Sequence, residues 1–150
     1  MFPMNVKATE QVALLGVVSP SSQAAGAAVT GWMPVAGFQK FLALIQTGVL
    51  GAAATLDAKF QQATDATGTG AKDIAGKALS QVVKATGDNV QAEINLDQQD
   101  LDTNGGFAYI QLSVTVGAAA SLTSAAVLGF NPRFGPASDF NAASVAQIVG

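Results

Sequence analysis

Phe107 to Val116, FAYIQLSVTV, places Ile110, Leu112, Val114 and Val116 on one side and Gln111, Ser113 and Thr115 on the other. A period of two is the signature of a strand with one packed face and one wet face. A turn cluster, Asp102-Thr103-Asn104-Gly105-Gly106, precedes it, and an apolar stretch, Ala125 to Phe130, follows. An antiparallel sheet is the natural setting for such a strand.

The same period recurs. Leu56, Ala58 and Phe60 alternate with Asp57, Lys59 and Gln61, and Val90, Ala92, Ile94 and Leu96 alternate with Gln91, Glu93, Asn95 and Asp97. From Phe38, Phe41, Ala43 and Ile45 lie on one face and Leu42 and Leu44 on the other, which predicts a strand covered on both sides. Residues 73–84 fit either a helical face (Ile74, Ala78, Leu79, Val82, Val83) or a short strand plus turn. Turn clusters separate these runs, and helices do not alternate with them. The expected fold is therefore all-β, an antiparallel β-sandwich of jelly-roll-like form.

The first 36 residues read differently. Val12 to Val18 suits a short buried strand, but Ser19-Pro20-Ser21-Ser22 is expected to end it, and small residues lead on to Trp32. The predicted organisation is an extended N-terminal arm over 1–36, a sandwich over 37–136 and a short C-terminal tail over 137–150. An arm of this kind needs something to hold it, and neighbouring subunits are the expected support. Most aromatics (Phe38, Phe41, Phe60, Phe107, Tyr109, Phe130 and Phe134) are expected in the core. Phe2, Trp32 and Phe140 lie in irregular segments, which makes them candidate anchors in a partner. With Val12, Leu14, Leu15 and Val17 of the arm they form the predicted interface.

Composition narrows the chemistry. Apolar residues make up 49% of the chain and charged ones only 11%, against roughly 25% charged in an ordinary soluble domain. Such a deficit points to a surface partly covered by partners. The net charge of -3, without a basic block, argues against nucleic acid as a partner. The longest early apolar run, Val12 to Val18, is far short of the ~20 residues of a membrane span, and no signal peptide is read at the start. Without histidine there is no imidazole base and no ordinary zinc site, and without cysteine no thiolate or disulfide.

Three motifs bear on chemistry. Asp100-Leu101-Asp102-Thr103-Asn104-Gly105 matches the opening of a calcium loop, making Asp100, Asp102 and Asn104 a weak candidate cation bend. The twelfth position is Gln111 instead of a bidentate carboxylate, so a tight bend is the favoured reading. Gly68-Thr69-Gly70-Ala71-Lys72 superficially suggests a phosphate loop but lacks its spacing and its hydroxyl. Asp97, Asp100 and Asp102 are close in sequence with nothing beside them to form a substrate cleft. No nucleophile, cofactor or catalytic site is assigned, and the chain is read as not an enzyme.

The run FLALIQTGVLGAAATLDAKFQQATDATGTGAKDI, then GFAYIQLSVTV, then AAVLGFNPRFGPA resembles a class of small virion proteins of tailed bacteriophages. The matching positions are Lys59, Gln61 and Asp65, then Tyr109 to Val116, then Val127-Leu128-Gly129, Arg133 and Pro136. The resemblance spans roughly Phe38 to Ala137 and leaves the N-terminal segment unmatched. It implies a capsid decoration or cement protein on the virion surface, made in the host cytoplasm. The implied partners are the major capsid protein and copies of itself, with a homotrimer the first expectation. A head–tail connector or tail component is the alternative within that class. A carbohydrate-binding sandwich on the virion surface is the alternative from another, and the scarcity of Trp and Tyr counts against it.

Overall fold

The computed structural model describes residues 4–150, which leaves the candidate anchor Phe2 outside the described residues. Two antiparallel sheets face each other. Sheet A has the order β1 (Val12–Gln23), β10 (Ser121–Pro132), β4 (Phe38–Thr47), β8 (Gln91–Asp97). Sheet B has the order β2 (Gly26–Val29), β9 (Tyr109–Gly117), β5 (Thr55–Ala63), β6 (Lys72–Ala78). The short β3 (Met33–Pro34) also pairs with β9, and β7 (Val82–Val83) with β5. Apart from the β2–β3 step, the β5–β6 hairpin and the short β7, successive strands change sheet. That connectivity is the double-sheet jelly roll, so the expected fold class stands.

The core lies where the alternation put it. Ile110, Leu112, Val114 and Val116 of β9 face inward with Leu56, Ala58 and Phe60 of β5, against Phe41, Ala43 and Ile45 of β4 and Val127 of β10. The wet face of β9 is drier than expected, for Gln111 and Ser113 are buried as well. Both occupy a central strand, where the longer Gln61 and Lys59 stand opposite on β5 and Val29 opposite Ser113 on β2.

Three expectations are corrected. Residues 12–34 are not an arm, because β1, β2 and β3 all enter the sheets. Pro20 does not end β1 either: the register steps from Val18↔Ala125 to Ser21↔Thr123, one extra residue on β1. That bulge takes up the proline, which has no N–H for the ladder. Last, the second face of β4 has no covering layer, and Leu42 and Leu44 are half-buried on the outside of sheet A.

Of the two readings of residues 73–84, the strand and turn are observed. Gly76, at φ +73, lies in the bulged part of β6, and a single helical turn follows at Lys84–Gly87. The tail beyond residue 136 is attached to β1. Asn141 Oδ1 accepts from the Leu14 N–H at 2.8 Å, and the Ala142 N–H donates to the Leu14 carbonyl at 2.7 Å. It thereby occupies the open edge of β1, which would otherwise invite pairing with another chain.

Candidate functional site

The predicted interface residues are divided between two apolar surfaces. Val12, Leu14 and Val17 alternate onto the outer face of sheet A, opposite Phe130, Leu128 and Ala126 of β10. Those in turn stand opposite Lys40, Leu42 and Leu44 of β4. The result is a continuous apolar stripe across three strands. β8 borders it with Gln91, Glu93 and Asn95, and with Asp97 ion-paired to Lys40 at 2.7 Å.

Leu15 goes elsewhere. A second register shift, between Leu14 and Gly16, turns it off the stripe. With Trp32, Met33, Phe38, Phe134 and Phe140 it lines an apolar pocket of about 360 Å³. Sequence reasoning selected Leu15, Trp32 and Phe140 separately, and the fold brings them together. It missed Phe134, which was expected in the core and is 65% exposed on the pocket rim. Phe130 was likewise expected in the core and is half-buried on the outer stripe.

The pocket is built from polar fixings beneath an apolar lining. Gln98, in the connection from β8 to β9, donates from Nε2 to the carbonyls of Val35 (2.6 Å) and Phe38 (2.5 Å). Its Oε1 accepts a short bond from the Arg133 guanidinium, and the Arg133 N–H donates to the Gly37 carbonyl at 2.9 Å. These bonds hold the turn that delivers Phe38 to the floor. Phe38 is buried and packs edge-to-face against Phe41 inside and Phe140 outside, with centroids 6.5 and 5.5 Å apart. Trp32 forms a wall beside the loop at Gly68, whose φ is +86.

The carboxylates of the candidate cation bend are committed to lysines. Lys72 reaches Asp102 at 2.7 Å while resting over the Phe107 ring, and Lys77 reaches Asp100 at 3.0 Å. Asp102 also accepts from the Gly105 N–H, and the left-handed Gly106 closes the bend. Among the described residues no group of three acidic, histidine or cysteine side chains could hold a metal. No helix among them is long and apolar enough to cross a membrane.

These contacts set a pH response. The Lys72 ammonium and the Gly105 amide lower the Asp102 pKa. At Asp100 burial pushes upward, but the Asp97 amide and Lys77 outweigh it. Lys59 and Gln61 lower Asp73, and the Thr69 and Thr67 hydroxyls and amides hold Asp65 far below the usual range. A carboxylate depressed in the folded state contributes stability above its unfolded pKa and loses it as pH falls through the folded one. With no histidine to titrate, the thermal midpoint is expected to be flat from about pH 8 to about pH 5 and to fall below about pH 4. Calorimetry across that range checks it; a transition near pH 6.5 would contradict it.

No family model matches the chain, and neither does any curated protein. Several solved structures are similar. A chain of the Cowpea mosaic virus empty virus-like particle is 9% identical at a TM-score of 0.47, covering 88% of this chain and 86% of that one. A chain of Triatoma virus is 12% identical at 0.43, covering 86% and 68%. The CBM22-2 xylan-binding domain of Paenibacillus barcinonensis Xyn10C is 6% identical at 0.41, covering 81% and 99%. The jelly roll stands on the strand order itself, and a fold used by capsids, lectins and cupins alike assigns no role.

Proposed function

We propose that the chain is a structural protein of a tailed-bacteriophage virion, a decoration protein that docks the outer face of sheet A onto the major capsid protein lattice. The supporting observation is the half-buried apolar stripe of Val12, Leu14, Val17, Leu42, Leu44 and Leu128, over which no further sheet lies among the described residues. A continuous apolar stripe left partly open to solvent suits an interaction surface. The resemblance of the strand pattern to small virion proteins of tailed bacteriophages supports coat protein as the partner. Burial at a joint contributes about 25 cal/mol per Å² gross, and lost translational and rotational freedom cancels much of it. A lattice compensates by repetition, since many weak joints act together. The function is then mechanical, adding cross-links between coat subunits.

Co-sedimentation with empty shells of the encoding phage tests this. The wild-type chain is expected to pellet in near-stoichiometry with coat protein. Leu44→Lys places a charge in the middle of the stripe, opposite Glu93 of β8, and should weaken binding by about tenfold or more. Its side chain lies outside the core, so the melting point should change little. A wild-type chain that ignores shells sinks the proposal. A closed ring bound only at one vertex would replace decoration with a connector role.

A further inference from the structure

We infer that the apolar pocket is the chain's self-association site, and that its occupant is Phe134 of a second copy. This deepens the oligomeric part of the reading above and does not depend on shell binding. Knob and hole are made by the same short stretch of chain. Phe134 projects from the pocket rim, 65% exposed, and Phe140 beside it is 40% exposed. The hole, about 360 Å³, has Phe134 at its mouth and Leu15, Trp32, Met33, Phe38 and Phe140 within, and it offers the ring of a second copy a fuller apolar enclosure than the rim gives.

Charge complementarity points to a second copy over an unrelated partner. Among the described residues, Lys40, Lys59, Lys72, Lys77 and Lys84 each have a carboxylate partner within the chain. Lys7 and Arg133 have none, and of these Arg133 stands beside the exposed ring, its guanidinium bonding only the neutral Gln98. Among the described residues Asp139, whose carboxylate lies beside Gly135 of the same turn, has no cation either. One basic and one acidic group, both without an ionic partner, thus bracket the exposed ring. When Phe134 enters a neighbour's pocket, Arg133 of one copy meets Asp139 of the other and the patch complements itself. Exchanged reciprocally, such a self-complementary contact closes a two-fold dimer; repeated head to tail with a closing rotation, it makes a small ring.

Light scattering of the full chain, with a thermal melt for each variant, decides the matter. The wild type is expected at two or three times the 15.0 kDa of one chain. Phe134→Ser should fall to the single-chain mass while still melting cooperatively, its midpoint lowered only by the lost association, and so should Asp139→Arg, which sets two cations against each other. Adding Arg133→Asp to Asp139→Arg should restore the oligomer. Should Arg133→Asp unfold the chain through loss of its Gln98 contact, the other two variants still decide. A monomeric wild type, or a Phe134→Ser chain of unchanged mass, overturns the inference, as does a folded double variant that stays monomeric. Loss of shell binding by Phe134→Ser in a chain that was monomeric from the start would hand the pocket to coat protein. An intact oligomer that ignores shells would instead remove only the decoration reading.

Discussion

Phe38→Ala is expected to lower the unfolding free energy by about 3–5 kcal/mol, the range for truncating a buried aromatic. Against a typical total of about 5–15 kcal/mol, that is a large fraction. At roughly 2–4 °C per kcal/mol for a chain of this size, the midpoint should drop on the order of 10 °C. The size of the effect follows from position. Phe38 opens β4, is almost fully buried, and joins Phe41 in the core to Phe140 on the surface. Removing it empties the pocket floor and the end of the sandwich together. Phe140→Ala separates the two roles. That ring is 40% exposed, so its loss should cost distinctly less stability while weakening self-association comparably. Urea unfolding and light scattering on both variants check the pair. Equal stability losses would mean that Phe140 belongs to the core and not to a docking site.

The contrast between these two rings shows what the sequence could and could not tell. Strand β9 was legible because its pattern is local: each inward residue follows the last by two positions. Leu56, Ala58 and Phe60 were legible for the same reason, and their inward face was assigned correctly. The N-terminal segment was not legible. The partner of β1 is β10, more than a hundred residues away, and nothing near Pro20 announces the bulge that lets the strand continue. Residues with small side chains, such as Ala27 and Ala28 of β2, carry almost no periodic signal either.

The candidate site was half legible by the same logic. Trp32 and Phe140 drew attention as large rings in irregular segments, and Leu15 as part of an apolar run. Only the fold shows that the three share one pocket. Phe134 was expected in the core with the other rings spaced along the strands. Pro132 ends β10, and beyond it alternation has no meaning. The signal that could have found Phe134 was its position between Arg133 and Gly135, just past a strand end.

Gly68 carries the other large expected effect. In the sequence it is one more small residue in a polar loop, ATDATGTG. In the fold its backbone adopts φ +86, and a Cβ there would lie 2.5 Å from the Trp32 indole nitrogen and 2.9 Å from the adjoining ring carbon. Two penalties therefore combine in Gly68→Ala. A side chain in the left-handed region costs about 1–3 kcal/mol, and forcing a packed ring aside about another 1–3 kcal/mol. The loop cannot easily yield to relieve the clash. Asp65 accepts from the Thr67 amide and hydroxyl (2.9 and 2.7 Å) and the Thr69 amide (3.1 Å), and Thr64 and Thr69 are bonded through their backbones. Trp32 is the part that moves, and Trp32 is a wall of the pocket. Gly68→Ala should therefore shift the emission of the chain's only tryptophan, lower the melting point and weaken self-association at once. Adding Asp65→Ala, which removes the acceptor of these loop bonds, to Gly68→Ala should partly restore Trp32 emission and self-association. If Gly68→Ala left Trp32 emission and oligomer mass unchanged, the indole could not be set by this loop, and the pocket wall would need another support.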